Sequence, residues 1–273
     1  MGRVWLSQTV ITGPTYVGPG DVVSNASWWG GLRAYNNAAI GVLPAIRLRR
    51  DSDNTESDFN TITGGGLDIA GITSFKGAAN LFATKLYDQT GGGQHFVQAT
   101  AANQPAFILS GFGTLPILRF NHANATRMSP ATWVTVNQPW SVVGLAKRTT
   151  IFTAHDNIIL ASSGNDGLFF KNTGLVTVFA FTNGDLPGSQ TEGNMHTIMG
   201  TTDNAAGGKI AVDGTVTTGA IGTDTMNTNI YIGDDLFGDP FTGDEGEWGV
   251  WPVALSNTQI TNLDSNMHTF WNF

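Results

Sequence analysis

From about Asn103 to the end of the chain, short runs of alternating apolar and polar residues are separated by Gly, Asn and Asp. "PAFILSGF", "LPILRFN", "WSVVGLAKRT", "NIILASS", "LVTVFAFTN", "HTIMGTT", "GKIAVDGTVTT" and "NIYIGDD" each read as a strand followed by a turn. A period of two leaves little room for helices, so this half of the chain commits the fold to β-structure. In "WSVVGLAKRT" the alternation puts Trp140, Val142, Gly144 and Ala146 on one face and Ser141, Val143, Leu145 and Lys147 on the other. Both faces are largely apolar, which suits a strand in the middle of stacked sheets. Asp213-Gly214, between two β-rich runs, is a hairpin signal because glycine tolerates positive φ, and "TNGD" at 182–185 is a second. Charged residues make up only 12% of the chain and Gly numbers 35, so the surface must be built from Thr, Asn, Ser, Gln and Gly.

Three helical pieces interrupt the pattern. "SNASWWGGLRAYNN" has Trp28, Trp29, Leu32 and Tyr35 at helical spacing, and "LDIAGITSFKGAANLF" has Ile69, Ile72 and Phe75 before a Gly. In "LSNTQITNLDSNMHTFW", Ser256 can cap, Gln259 stands where a capping-box partner belongs, and Ile260, Leu263 and Met267 form an apolar stripe. A C-terminal helix docked on a sandwich is expected. With 273 residues and no repeat or linker, one all-β domain with peripheral helices is the economical reading.

A net charge of −8 argues against a nucleic-acid partner. Arg47, Arg49 and Arg50 sit beside Asp51, Asp53, Glu56 and Asp58, a pattern that reads as mutual neutralisation. With no cysteine, disulfides and thiolate chemistry are excluded. No apolar run approaches the roughly 20 residues that span a bilayer. The start, "MGRVWLSQTVITGPTY", has no signal-peptide core, and Leu6 stands where myristoylation wants Ser or Thr. No membrane partner and synthesis in a cytoplasm are expected.

"AIRLRRDSDNTESDF", then a short helical stretch, then "LYDQTGGGQHFVQATAANQP" resembles the front of the arabinofuranosidase B catalytic domain. That family has an R-R-x-S-D-x run followed by Y-D-Q-S-G-x-G-N-H, and many bacteriophage and prophage proteins share both segments. The remainder is similar to concanavalin A-like jelly rolls of the lectin/glucanase (LamG-type) superfamily. There "QPWSVVGLAKRTT" looks like an early core strand, "GKIAVDGTV" a late hairpin and "GEWGVWPVALSNTQITNLDSNM" the last strand with its helix. The resemblance covers about residues 28 to 273, a jelly-roll β-sandwich. Residues 1–27, rich in Gly and Pro, are left as an attachment segment or an extra edge strand.

The family resemblance implies a retaining glycosidase with a Glu nucleophile and an Asp acid, two carboxyls about 5–5.5 Å apart. "NIYIGDDLFGD" looks like the family's I-G-G-D segment, so Asp234 (or its neighbour Asp235) matches the acid. The family's Glu lies in a G-N-A-E-type stretch. Aligned with "ASSGNDGLFF", its position falls on Gly167, with Asp166 one place early. The family's cysteines, including an adjacent pair at the sugar site, are missing. If the chain is an enzyme, Asp234 would pair with Asp166 or Glu192.

Asp88 and Gln89 belong to the shared motif, and three consecutive glycines, Gly91, Gly92 and Gly93, favour a structural corner there. His95 has no partner at ligand spacing, so no metal site is assigned. Asp234, Asp235, Asp239, Asp244, Glu245 and Glu247 fall within fourteen positions, readable as a solvated acidic loop, a glycan contact or, third, a Ca²⁺ site. Trp28, Trp29, Trp133, Trp140, Trp248 and Trp251 could each stack on a sugar but read first as core, least clearly so for Trp133 and Trp248 with their polar neighbours. With the presumed nucleophile absent, the expectation is a non-enzymatic, lectin-like protein of a bacteriophage virion, present in several copies. It would contact other virion proteins and host-surface polysaccharide through Asp88, Gln89, Asp234, Asp235, Asp244, Glu245 and Trp248, without a cofactor. Two alternatives stand beside it: an arabinofuranosidase-type glycoside hydrolase, and a structural virion component without ligand.

Overall fold

The computed structural model describes residues 15–151, 155–161, 166–171, 174–180, 186–203, 207–222, 225–226, 230–233 and 241–273. The chain begins with a one-turn helix α1 (Pro19–Val22), β1 (Trp28–Gly31), β2 (Pro44–Arg50), β3 (Glu56–Asn60) and α2 (Ile69–Lys76). Next come β4 (Leu81–Leu86), β5 (Phe96–Val97), β6 (Ala106–Phe112), β7 (Leu115–Phe120), β8 (Arg127–Pro130) and β9 (Trp140–Arg148). A run of short strands follows: β10 (His155–Ala161), β11 (Asp166–Lys171), β12 (Leu175–Ala180) and β13 (Leu186–Ser189). The remainder is β14 (His196–Thr202), β15 (Gly208–Val212), β16 (Thr215–Gly219), β17 (Tyr231–Gly233), β18 (Gly243–Trp251) and α3 (Asn257–Trp271).

Among the described residues all strand pairings are antiparallel, and they form two layers. In the first, β18 is the hub: β7 and β1 share one of its edges, β9 takes the other, and β14, β15 and β16 extend outward from β9. On the far side of β7 lie β6, β4, β2 and β3. The second layer runs β8-β17-β10-β11-β12-β13. The β5–β8 pairing joins the two layers. This is the all-β sandwich with peripheral helices that the alternation predicts.

Packing explains the close approach of the layers. A Cβ on Gly200 of β14 would lie 2.4 Å from Val178 and 2.8 Å from Leu168 of the second layer, so only glycine lets the sheets meet there. α3 docks on the first layer at β14 and, through Trp271, at Gly246 of β18, and its Ile260, Leu263, Met267 and Trp271 are buried. Each such side chain stabilises the docked helix by about 1.5–3 kcal/mol. The helix starts as its sequence predicts: Ser256 Oγ accepts from Gln259 N at 3.3 Å, and Gln259 Oε1 accepts from Ser256 N at 2.9 Å. The Asp213-Gly214 turn has φ of +47° and +73°, both residues left-handed as a two-residue hairpin requires. α2 also matches, with Asp68 accepting from Gly71 N at its start and Gly77 ending it at φ +52°. The "TNGD" hairpin at 182–185 lies outside the described residues.

One element differs from its sequence pattern. Trp28–Gly31 is a strand, β1, paired with Val250–Glu247 of β18, and not the start of a helix. All four of its residues are buried. A strand covered on both faces has no polar alternation, and over so few residues its apolar spacing imitates a helix. Residues 15–27 hold α1 against the rest: Tyr16 Oη donates to Ala34 O at 2.6 Å, and Asn266 of α3 donates to Val17 O at 2.8 Å.

Candidate functional site

The corner at Asp88 is saturated from within. Asp88 Oδ1 accepts from Thr90 N at 3.0 Å and Thr90 Oγ1 at 2.7 Å, and its Oδ2 accepts from Gln94 N at 3.2 Å. Gly91 and Gly93 turn the chain at φ +87° and +78°. Gln89 spends its amide equally fully, accepting from Tyr35 N and donating to the Gly31 and Arg33 carbonyls. Both side chains are buried, so as glycan contacts they are corrected: their bonds hold β1 and the following loop together.

The acidic stretch is also corrected where it is described. Asp244, Glu245, Glu247 and Trp248 lie in β18 and are buried, not displayed on a loop. Asp244 takes a bidentate pair from Arg119 at 2.7 and 3.0 Å. Glu247 takes one from Arg33 at 2.5 and 2.9 Å, with both partners out of solvent. Glu245 accepts from Trp248 Nε1, and burial pushes its carboxyl well above the usual carboxylate range. The physical reason is charge pairing and strand geometry: each carboxylate enters the sandwich with a cation or as a neutral acid. Asp234 and Asp235 lie outside the described residues. The Arg cluster pairs internally, Arg47 with Asp58 and Arg50 with Asp53.

A polar cleft of about 290 Å³ opens where β13 passes over the β15–β16 hairpin, lined by Ser189, Gln190, Thr191, His196, Asp213 and Thr215 among others. The turn between β13 and β14 carries Glu192 beside it. Arg148 Nε donates to Glu192 Oε2 at 3.1 Å and its Nη2 to Glu192 Oε1, while the same Nη2 donates to Lys171 O at 2.7 Å. Gln190 Nε2 donates to Glu192 Oε1 at 2.7 Å. Glu192 is more than a third exposed while Arg148 is wholly buried, so a fixed cation presents a carboxylate to solvent. Deeper in the cleft, His196 Nδ1 meets Asp213 Oδ2 at 2.6 Å and His196 Nε2 meets Thr191 O at 2.8 Å. Burial pulls the imidazole pKa down, but the bonds to Asp213 and the Thr191 carbonyl and the charges of Asp213 and Glu192 together lift it above its usual value. A larger opening of about 560 Å³, lined by Gln94, Val134 and Gln138, has no titratable side chain on its walls.

Strand register separates the candidate carboxylates. Asp166 begins β11, opposite Ala161 and Ala180, while Lys171 ends it. At about 3.3 Å per residue those ends are roughly 17 Å apart. Glu192, joined to Lys171 O through Arg148, is therefore at the opposite end from Asp166, and those two do not form a pair across one site. β17 stops at Gly233, and through β10 its Ile232 meets the middle of β11 at Leu168. Ile232 pairs with Ile159 of β10, and Phe241 stacks on Phe170 with ring centroids 6.0 Å apart. Arg148 was missed from the sequence, although extending the β9 alternation by two residues beyond Ala146 places it on the inner face. His196 gave no local signal, since its partners are 5 and 17 residues away. Among the described residues no group of three or more His, Asp or Glu could hold a metal ion.

Comparison with solved structures places this architecture. A GH54 α-L-arabinofuranosidase soaked with a cyclic sulfate inhibitor matches with a TM-score of 0.73 at 14% identity, over 93% of this chain and 65% of that one. A Glu→Gln variant of a GH54 enzyme soaked with 4-nitrophenyl α-L-arabinofuranoside matches with TM-score 0.71, the same 14% identity and the same coverage. An arabinofuranosidase complexed with arabinofuranosyl-α-1,2-xylobiose gives the same values, TM-score 0.71 and 14% identity over 93% and 65%. The chain thus shares the β-sandwich fold of these enzymes and spans 65% of their length. No protein-family model matches it, and no curated protein does. The expectation of a non-enzymatic bacteriophage surface protein is overturned by these matches. The structures that match almost the whole chain are glycoside hydrolases, and nothing in the comparisons points to a virus particle.

Proposed function

We propose that the chain is a glycoside hydrolase acting on arabinofuranosyl bonds, with Glu192 as the nucleophile and Asp234 as the acid. The observation that carries this reading is the placement of Glu192. It is an exposed carboxylate gripped by buried Arg148, beside a polar cleft, while Asp234 is assigned as the acid from the I-G-G-D resemblance. The fold shared with arabinofuranosidases supports the same choice. In the first half-reaction a Glu192 oxygen bonds to the anomeric carbon while the leaving oxygen takes the Asp234 proton. In the second, Asp234 takes a proton from water, the water oxygen bonds to the anomeric carbon, and the ester to Glu192 breaks.

Turnover of 4-nitrophenyl α-L-arabinofuranoside by the purified chain tests the reading. Glu192→Gln and Asp234→Asn are each expected to lower kcat by roughly 10²- to 10⁴-fold. Asp166→Asn, at the far end of β11, is expected to leave kcat within about twofold, the range of a change remote from the reacting atoms. Absence of turnover in the wild type, or equal activity in Glu192→Gln, would sink the assignment.

A further inference from the structure

We infer that the cleft beneath Glu192 is a subsite for one neutral sugar ring, in which Asp213, braced by His196, accepts hydrogen bonds from two adjacent hydroxyls. This rests on the reading of Glu192 as the reacting carboxylate, because the subsite is where the rest of the substrate would lie. Asp213 is suited to the task by what it leaves unspent. Its Oδ1 accepts from Thr197 N at 3.1 Å and its Oδ2 faces His196 Nδ1 at 2.6 Å. Each carboxylate oxygen accepts two bonds, so each keeps one position, and 38% of the side chain is exposed. The hairpin fixes the backbone at φ +47°, so the carboxylate is held on a rigid turn at the cleft edge.

The other wall completes a polyol site. Thr215 and Thr217, two apart on β16, present their hydroxyls to the same side, and Ser189, Gln190 and Thr191 face them from β13 and its turn. At about 290 Å³ the space is at the lower end of ligand pockets, which suits a single ring and not an oligosaccharide. The Asp213 and Glu192 carboxylates face His196 and Arg148, so among the described residues lining the cleft no cation is left over to pair with an anionic ligand. A uronic acid would lose hydration of its carboxylate there without gaining a cation, so specificity falls to neutral sugars.

His196 is the positioning residue. It reaches Asp213 with Nδ1, and its Nε2 lies 2.8 Å from Thr191 O and 3.2 Å from Thr191 N, so the ring spans both walls, as the imidazolium donating to the carbonyl or as the neutral ring accepting from the amide. The charged groups around it are Asp213 on the hairpin, Glu192 on the turn, and Asp264 and His268 on α3, with Arg148 of β9 behind Glu192. Loss of the proton turns the charge-assisted bond that braces Asp213 into a neutral one, so sugar affinity is expected to weaken as pH rises through the His196 titration.

Binding of methyl β-D-xylopyranoside to the full chain carrying Glu192→Gln tests this without turnover. Amide resonances of residues 189–191 and 213–217 are expected to shift, and methyl β-D-glucuronide is expected to bind at least about tenfold more weakly. Asp213→Asn keeps a residue that tolerates the left-handed turn, so the hairpin should remain intact. That variant is expected to weaken binding about tenfold, and His196→Gln to remove the pH dependence. Shifts confined to other parts of the protein, or undiminished affinity in Asp213→Asn, would overturn the subsite. If the wild type fails to hydrolyse arabinofuranosides while the xyloside still binds through Asp213, the reaction assignment fails and the subsite stands.

Discussion

Glu245 shows how far a single side chain can depart from its usual chemistry. Its carboxyl is fully buried in β18, bonded to Trp248 Nε1 through one oxygen, while Oε1 has no partner. An unpaired buried carboxylate is too costly, so the group stays neutral in the fold. Because its folded pKa is raised, its contribution is complete below the unfolded value of about 4.3 and is lost as pH rises toward the folded pKa. Glu245→Gln replaces the acid with a group that is neutral at every pH and can still accept from Trp248. The variant is expected to match the wild type at pH 4 and to be the more stable at pH 7, because there only the wild type must take up a proton to fold. Urea unfolding at both pH values decides the matter, together with the infrared carbonyl band of the protonated acid. Equal stability at pH 7 and no such band would mean that Glu245 is ionised.

Among the elements, β18 is the one on which the rest are built, and Arg33–Glu247 ties it to the segment after β1. Both side chains are out of solvent, and the guanidinium also lies over the Phe270 ring of α3 at 4.8 Å. Removing one member strands the other charge, so Arg33→Met is expected to destabilise by about 3–5 kcal/mol. Arg33→Met with Glu247→Leu should recover most of that loss, measured as the midpoint of denaturant unfolding. A double variant no better than the single one would contradict the charge argument. The same strand marks where sequence reading runs out. α3 and the Asp213-Gly214 hairpin were readable because caps and left-handed turns are local features, settled within a few residues. β1 was not, because burial on both faces erases alternation; β18 was legible as the last strand only through the family resemblance, and whether Glu245 or Asp244 meets solvent depends on Arg119, Leu118 and Ala146, all distant in the chain. The cleft behaves the same way. Glu192 could be picked out by residue type, but its hold on Arg148 spans 44 positions.

For the molecule as a whole, these shifted groups add up to a pH profile. Asp58 is held low by its bond from Arg47, opposed in part by burial, and is helped by Tyr87. That contribution is present above the unfolded carboxylate value of about 3.9 and is lost as pH falls through the folded one. His95, lowered first by burial and then by Lys85, acts in the same direction and has delivered its full stabilisation by about pH 6.5. Raised groups act in the opposite sense. Asp264, lifted by burial, and Glu245 lose stability as pH climbs above about 4, and His196 begins to do so above about 6.5. Above that point the rising contributions are spent and His196 still declines. Thermal unfolding is therefore expected to show a falling Tm between pH 6.5 and 8, by about 2–4 °C for each kcal/mol lost. His196→Gln, which cannot titrate, should flatten that descent while lowering Tm at pH 6.5. The loss should also localise, because His196 fastens the β13–β14 turn to the β15–β16 hairpin at the cleft. Hydrogen exchange at residues 189–197 and 213–215 should quicken with pH beyond the intrinsic rate, while β9 and β18 stay protected. A Tm that holds or climbs from pH 6.5 to 8 in the wild type would show that the two walls are joined by something other than the imidazolium.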